Sequence, residues 1–157
     1  MTYRVWVALA VALAVVDQAT KLWAESRLDL HQSVELLPFL SLTLGYNPGA
    51  AFSFLGDAAG WQRWFLAGVA AAISIYVIFW LRRLARGHLW LSSGLALVLA
   101  GALGNLVDRL RLGYVVDFIH LHYGGFHWPI FNVADIAITL GAGVVIVLFL
   151  FGSESTH

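Results

Sequence analysis

Asp117 and Asp135 stand at the two edges of one short connection between apolar segments, in a chain with few charges of any kind. A carboxylate in or beside hydrocarbon is costly, and those that persist line a cavity or a reaction site more often than not. Two of them within about 3 Å of each other cannot both ionise, so they share one proton and supply an acid and a base together. Such a pair suits attack on a peptide carbonyl: one member activates water while the other protonates the carbonyl oxygen. No metal, cofactor or covalent intermediate is required.

Local sequence sharpens both positions. Asp117 lies between Val115, Val116 and Phe118, Ile119, so exposing it would expose four apolar neighbours as well; the segment is expected to be buried. Asn132 and Asp135 open the last apolar segment with the spacing of an N-cap and an acid at the third helical position, both satisfying free amides. A helix N-terminus is also a rigid mount that aims a carboxylate, so capping and catalysis coexist there. Only a meeting with Asp117 separates the two readings.

Further polar residues gather nearby in the pattern. Asn105 and Arg109 are four apart and share a helix face, with Asp108 expected to form a local ion pair with Arg109. Asp17 precedes Lys21 by one helical turn. Asn47 opens the turn Asn47-Pro48-Gly49-Ala50-Ala51-Phe52, a loop returning to the membrane, and its carboxamide can both donate to and accept from a peptide. Other chemistries are less well served. His120, His122 and His127 are possible metal ligands without HExxH spacing, in a segment that reads as loop or strand. A serine–lysine pair needs Lys21 desolvated beside Ser41 or Ser53, yet Asp17 already answers Lys21.

The elements that must hold these groups are membrane spans. The 157 residues are 61% hydrophobic and 11% charged, with a mean hydropathy of +0.81. A hydrocarbon core about 30 Å thick takes roughly 20 helical residues to cross. Four stretches suffice: Val5–Ala24, Trp61–Leu81, Leu89–Asp108 and Val133–Phe151. They predict one all-α membrane domain over 1–157. Arg4 before Val5–Val16 imitates a secretory signal, but no small-residue cleavage site follows and Asp17 to Lys21 continue the helical period, so the first span is expected to stay. Zero net charge gives no basic surface for nucleic acid, and the absence of cysteine excludes disulfides and thiol chemistry.

Four spans place both termini on one side together with Arg4, Arg82, Arg83 and Arg86, the side that the positive-inside tendency makes cytoplasmic. Lys21, Arg27, Arg63, Arg109 and Arg111 fall opposite, five against four. The acids are more lopsided: all but Glu154 lie at or beyond the outer ends of the spans. In the outer connection, residues 28–60, the alternation Leu40-Ser41-Leu42-Thr43-Leu44 predicts a half-buried strand paired with Val34–Leu37. Its apolar face is expected on the membrane surface or the helix ends, as part of a small extracytoplasmic β-sheet. Ala96, Ala100 and Gly104, with Gly101 beside them, allow close helix approach.

Five runs taken together, Asp17-Gln-Ala-Thr-Lys21, Asn47-Pro-Gly-Ala-Ala-Phe52, Gly101-Ala-Leu-Gly-Asn-Leu-Val-Asp-Arg109, Val115-Val-Asp-Phe118 and Phe131-Asn-Val-Ala-Asp135, closely resemble the signal peptidase II family. Ala100 departs where many members carry a glycine. The resemblance implies a bacterial inner-membrane aspartic endopeptidase that cuts prolipoproteins just before a cysteine bearing diacylglycerol. By the same carry-over Asp117 and Asp135 are the catalytic pair, and Asn47, Asn105, Arg109 and Asn132 line the pocket. Asp17, Lys21 and Asp108 support it. It also implies inhibition by globomycin-type cyclic peptides, membrane lipid as a partner, an active site at the outer surface, and a lid within residues 47–57. The competing readings are a four-span proton-linked transporter with an aspartate relay through Asp17, Asp108, Asp117 and Asp135, and a non-enzymatic scaffold.

Overall fold

The computed structural model describes residues 2–49, 60–84 and 87–151. Arg86, Glu154, Ser53 and the part of the expected lid from residue 50 onward lie outside the described residues.

Four long helices form: α1 (Tyr3–Arg27), α2 (Trp61–Arg83), α3 (Leu89–Arg111) and α4 (Val133–Phe151). Each is long and apolar enough to cross a membrane. The first three outrun the predicted spans because backbone hydrogen bonding continues past the apolar stretch into polar turns, ending at Arg27, Arg83 and Arg111. Their basic last turns suit the negative end of the helix dipole. Large apolar side chains such as Ile75, Trp90, Phe149 and Phe151 point outward, as lipid-facing surfaces require.

Helix α3 is the hub, packing against α1, α2 and α4, while those three touch one another little. Its small residues divide between neighbours. Ala96 and Ala100 join Ala10 of α1 and Val77 and Leu81 of α2 around Leu95 and Leu99. Gly101 faces α4, where a Cβ would overlap the Ala134 carbonyl oxygen. Helix α4 therefore lies close against α3 at its N-terminal turn, and again at Gly141, where a Cβ would stand 2.5 Å from the Gly94 carbonyl oxygen.

At one end of the bundle lies a four-stranded antiparallel sheet in the order β1 (Ser33–Leu37), β2 (Leu40–Asn47), β3 (Val115–Tyr123), β4 (Phe126–His127). The expected β1–β2 pair is present, with Val34 opposite Leu42. The segment after α3 is strand, and Leu42 pairs with Ile119 and Gly45 with Asp117 around an irregularity in β2. The alternation expected for residues 40–44 is only partly realised. Leu44 is buried, but so are Ser41 and Thr43, while Leu40 and Leu42 are half-buried. The histidines of β3 supply the reason, since His122 and His120 bond Ser41 and Thr43 and cover them. The sheet rests on the bundle end through Leu44, Val116 and Phe118, packed with Ala24 of α1.

Candidate active site

The strand β3 begins only a short turn after α3, and burial runs unbroken from Val115 to Phe118. Asp117 is thereby held in a wall of apolar side chains. The chain then returns: Ile119 and Phe131 exchange backbone hydrogen bonds of 2.8 and 3.0 Å. That clasp sets the start of α4, and with it Asn132 and Asp135, beside Asp117.

Asn132 caps α4 as its sequence position predicts. Its Oδ1 accepts the Asp135 amide at 2.9 Å, and Asp135 Oδ2 accepts the Asn132 amide at 3.2 Å, a reciprocal box. The Asn132 carboxamide nitrogen is then free to donate to Asp117 Oδ1 at 2.7 Å. One fully buried asparagine thus touches both carboxylates. The other oxygens are also held: Asn105 donates to Asp135 Oδ1 at 2.9 Å and Asn47 donates to Asp117 Oδ2 at 3.3 Å.

Burial pushes the Asp117 carboxyl up from 3.8 to about 7, and the nearby charge of Asp135 pushes in the same direction. The hydrogen bonds from Asn132 and Asn47 and the charge of Lys21 oppose the rise without cancelling it. Through the neutral range this carboxyl exchanges a proton readily, as a general acid or base must.

Below the pair lies a buried ion cluster. Lys21 Nζ donates to Asp17 Oδ2 at 2.8 Å, Asp108 Oδ2 at 2.9 Å and Asn105 Oδ1 at 3.0 Å, saturating its three protons. Each acid uses its remaining capacity on structure. Asp17 Oδ1 accepts the Ala134 amide at 2.8 Å, tying α1 to the first turn of α4. Asp108 accepts the Val116 amide at 3.1 Å and Gln18 Nε2 at 2.7 Å. The local ion pair expected between Asp108 and Arg109 is therefore replaced: Asp108 turns to α1, and Arg109 bonds the Gly49 carbonyl at 2.9 Å. Gly104 makes room for the cluster, since a Cβ there would stand 2.5 Å from Asp17 Oδ2.

Asp117 and Asp135 open onto a common cavity of about 560 Å³, with Asn47, Asn105 and Arg109 at its polar end. Leu121, Trp128, Ile136 and Leu140 line the remainder. Such a groove takes an apolar chain and presents one polar point to it. Of the residues singled out in the sequence, Asn132, Asp17, Lys21 and Asp108 lie behind this wall. Gln18 and Trp128 were not singled out; Gln18 lies inside the Asp17–Lys21 run, while nothing in the sequence marks Trp128.

The three histidines form a separate cluster on the sheet, with ring centroids 5.1 to 5.7 Å apart. His120 Nε2 and His127 Nδ1 are 3.2 Å apart, and burial together with the two neighbouring rings holds His120 below the usual imidazole range. Among the described residues no three potential ligands are arranged to hold a metal ion.

The signal peptidase (SPase) II family model matches residues 9–151, nearly the entire chain and every polar group of this site. The chain belongs to the signal peptidase II family. It is thus a member of a peptidase family of the membrane. A lipoprotein signal peptidase of Pseudomonas putida is 50% identical over 154 residues, covering 97% of this chain and 90% of that protein. One from Acinetobacter baylyi is 48% identical over 143 residues, 91% of this chain and 80% of the relative. A solved structure described as a bacterial membrane enzyme, determined in meso at 2.3 Å, superposes with a TM-score of 0.86 at 32% identity, covering 98% of this chain and 92% of its own. A second of the same description, at 1.9 Å, gives 0.81 at 32% identity, with 95% and 94% covered. The helix bundle with its small sheet is accordingly the fold shared with these enzymes.

Proposed function

We propose that this signal peptidase II is an aspartic endopeptidase that removes the signal peptide from diacylglyceryl-modified prolipoproteins, cutting just before the lipid-bearing cysteine. The observation that carries the reading is the Asn132 carboxamide and amide reaching both Asp117 and Asp135 at the polar end of one largely apolar groove.

The pair holds one proton, which Asp117 carries. The ionised partner takes a proton from water as the water oxygen attacks the scissile carbonyl carbon, while the protonated member gives its proton to the carbonyl oxygen. Collapse of the resulting diol returns that proton and breaks the C–N bond, the first carboxyl protonating the departing amine. Asn105, Asn47 and Asn132 hold the four carboxylate oxygens in place for both transfers, and Arg109 lines the substrate channel. Asp17, Lys21 and Asp108 support the pair from behind.

The groove's apolar arm, along Ile136 and Leu140 of α4, suits the acyl chains or the signal helix, both of which the bilayer delivers. In this reading the whole chain is one peptidase domain in the bacterial inner membrane, with both termini cytoplasmic and the sheet end outside. Globomycin-type cyclic peptides enter the same groove with a hydroxyl between the carboxylates.

The test is cleavage of a diacylglyceryl-modified prolipoprotein by purified wild type, Asp117→Asn and Asp135→Asn, with and without chelator. Wild type cleaves equally with chelator, and each variant folds but fails to cleave. Turnover by either variant, or loss of wild-type turnover on chelation, overturns the proposal.

A further inference from the structure

Arg63 lies on α2, the helix least involved in the site so far, and its guanidinium reaches across to the end of α3. Its Nε donates to the Arg109 carbonyl at 2.7 Å and its Nη2 to the Leu110 carbonyl at 2.6 Å. These are carbonyls of the last helical turn, which have no partner further along the helix, and a cation there also meets the negative end of the helix dipole. The contact has a second consequence because Arg109 is itself a link. Its own guanidinium bonds the Gly49 carbonyl at 2.9 Å. The Gly49 amide bonds Asn47 Oδ1 at 3.0 Å, and Asn47 Nδ2 bonds Asp117 Oδ2 at 3.3 Å.

We infer that Arg63 is a positioning residue of the peptidase site, acting through Arg109, Gly49 and Asn47 to hold the carboxamide that grips Asp117. This rests on the proposed role of Asp117. The links are hydrogen bonds with defined donors, joined covalently through the Arg109 side chain and the Gly49 backbone, and two of the donors are guanidinium groups whose planar forks fix direction as well as distance. Each link also restricts the next. Arg63 holds the backbone from which the Arg109 side chain projects, Arg109 holds the Gly49 carbonyl, and the amide of the same residue holds the Asn47 carboxamide. The Asn47 bond favours the ionised form of Asp117. Loosening it therefore weakens the restraint on that form and makes the carboxyl harder to ionise.

The groups facing Asp117 from the surrounding elements are Asp135 on α4, Lys21 on α1, Arg109 on α3 and Asn47 on β2. Arg63 touches none of the carboxylates, the charges acting on Asp117 are those of Asp135 and Lys21, and Arg63→Lys keeps the cation, so a shift in that variant reports the link.

The test is the pH profile of kcat/KM on a diacylglyceryl-modified prolipoprotein for wild type, Arg63→Ala and Arg63→Lys, with thermal unfolding followed in parallel. In Arg63→Ala the alkaline limb moves upward by about half a pH unit and kcat falls about tenfold at neutral pH with KM little changed. Arg63→Lys, which can hold one carbonyl in place of two, shifts in the same direction by less. A profile for Arg63→Ala that falls uniformly without moving its limbs overturns the inference and leaves only a helix cap. If Arg63→Ala does not fold, Arg63→Lys decides, and an unmoved limb in that variant is the overturning result. Activity in Asp117→Asn would instead overturn the role of Asp117, a different failure seen in a different variant.

Discussion

Replacing Asp117 by asparagine should abolish turnover and, at alkaline pH, make the protein more stable. The carboxyl is almost fully buried and its folded value is raised from 3.8 to about 7. A raised value means that the folded state favours the protonated form, so the stability this group contributes is complete below about pH 4 and is lost as pH rises towards 7. The rise corresponds to about 4 kcal/mol lost above pH 7. Asparagine has no charge to lose. It keeps an oxygen for the Asn132 donor but turns an NH2 towards Asn47, which sets aside about 1 kcal/mol of the gain. The variant should therefore exceed wild type by about 3 kcal/mol at pH 8 and by under about 1 kcal/mol at pH 5. Equilibrium unfolding in mixed micelles at the two pH values measures this. Every other titrating group is common to both proteins and cancels in the difference. A variant no more stable than wild type at pH 8, or one with the same advantage at both pH values, would refute the argument that burial holds a proton on Asp117.

Three further perturbations address the frame around the pair. Lys21→Met leaves Asp17 and Asp108 buried without their shared cation and should cost about 3–5 kcal/mol in the same unfolding assay. Adding Asp108→Asn should recover part of that loss, and a single variant within about 1 kcal/mol of wild type would count against the cluster. Gly104→Ala pushes a methyl towards Asp17 Oδ2 and should cost about 1–3 kcal/mol, read as a lower unfolding midpoint. Asn132→Ala removes the cap of α4 and the donor to Asp117, and kcat should fall about 100-fold or more with substrate affinity largely kept; an undiminished kcat would show the carboxylates to be held without it.

Much of this architecture was legible because lipid imposes strong sequence rules. Length and apolarity located all four spans, and the short motif starting at Asn132 announced the α4 cap down to its reciprocal hydrogen bonds. What sequence could not supply was direction. Asp108 and Arg109 are neighbours in the chain, yet consecutive helical residues point about 100° apart, so one turns to α1 and the other to Gly49, just past the end of β2. Adjacent opposite charges suggested a pair that rotation about the axis forbids. Ser41 and Thr43 were misjudged for a related reason: alternation marks two faces of a strand but does not say that histidines from another strand will cover the polar one. Arg63 left no signal whatever, because its acceptors are main-chain carbonyls, which every residue has.

The bond from the Ala134 amide to Asp17 joins the first helix to the last, and α3 stands between them as the common support. A ribosome inserting this chain from its N-terminus delivers Asp17 first and Asp135 only with the closing helix. Until that helix docks, Asp117 lacks Asp135, and the pair proposed to carry the reaction is incomplete. On that proposal the order of synthesis keeps each copy inactive until its last helix has joined the other three.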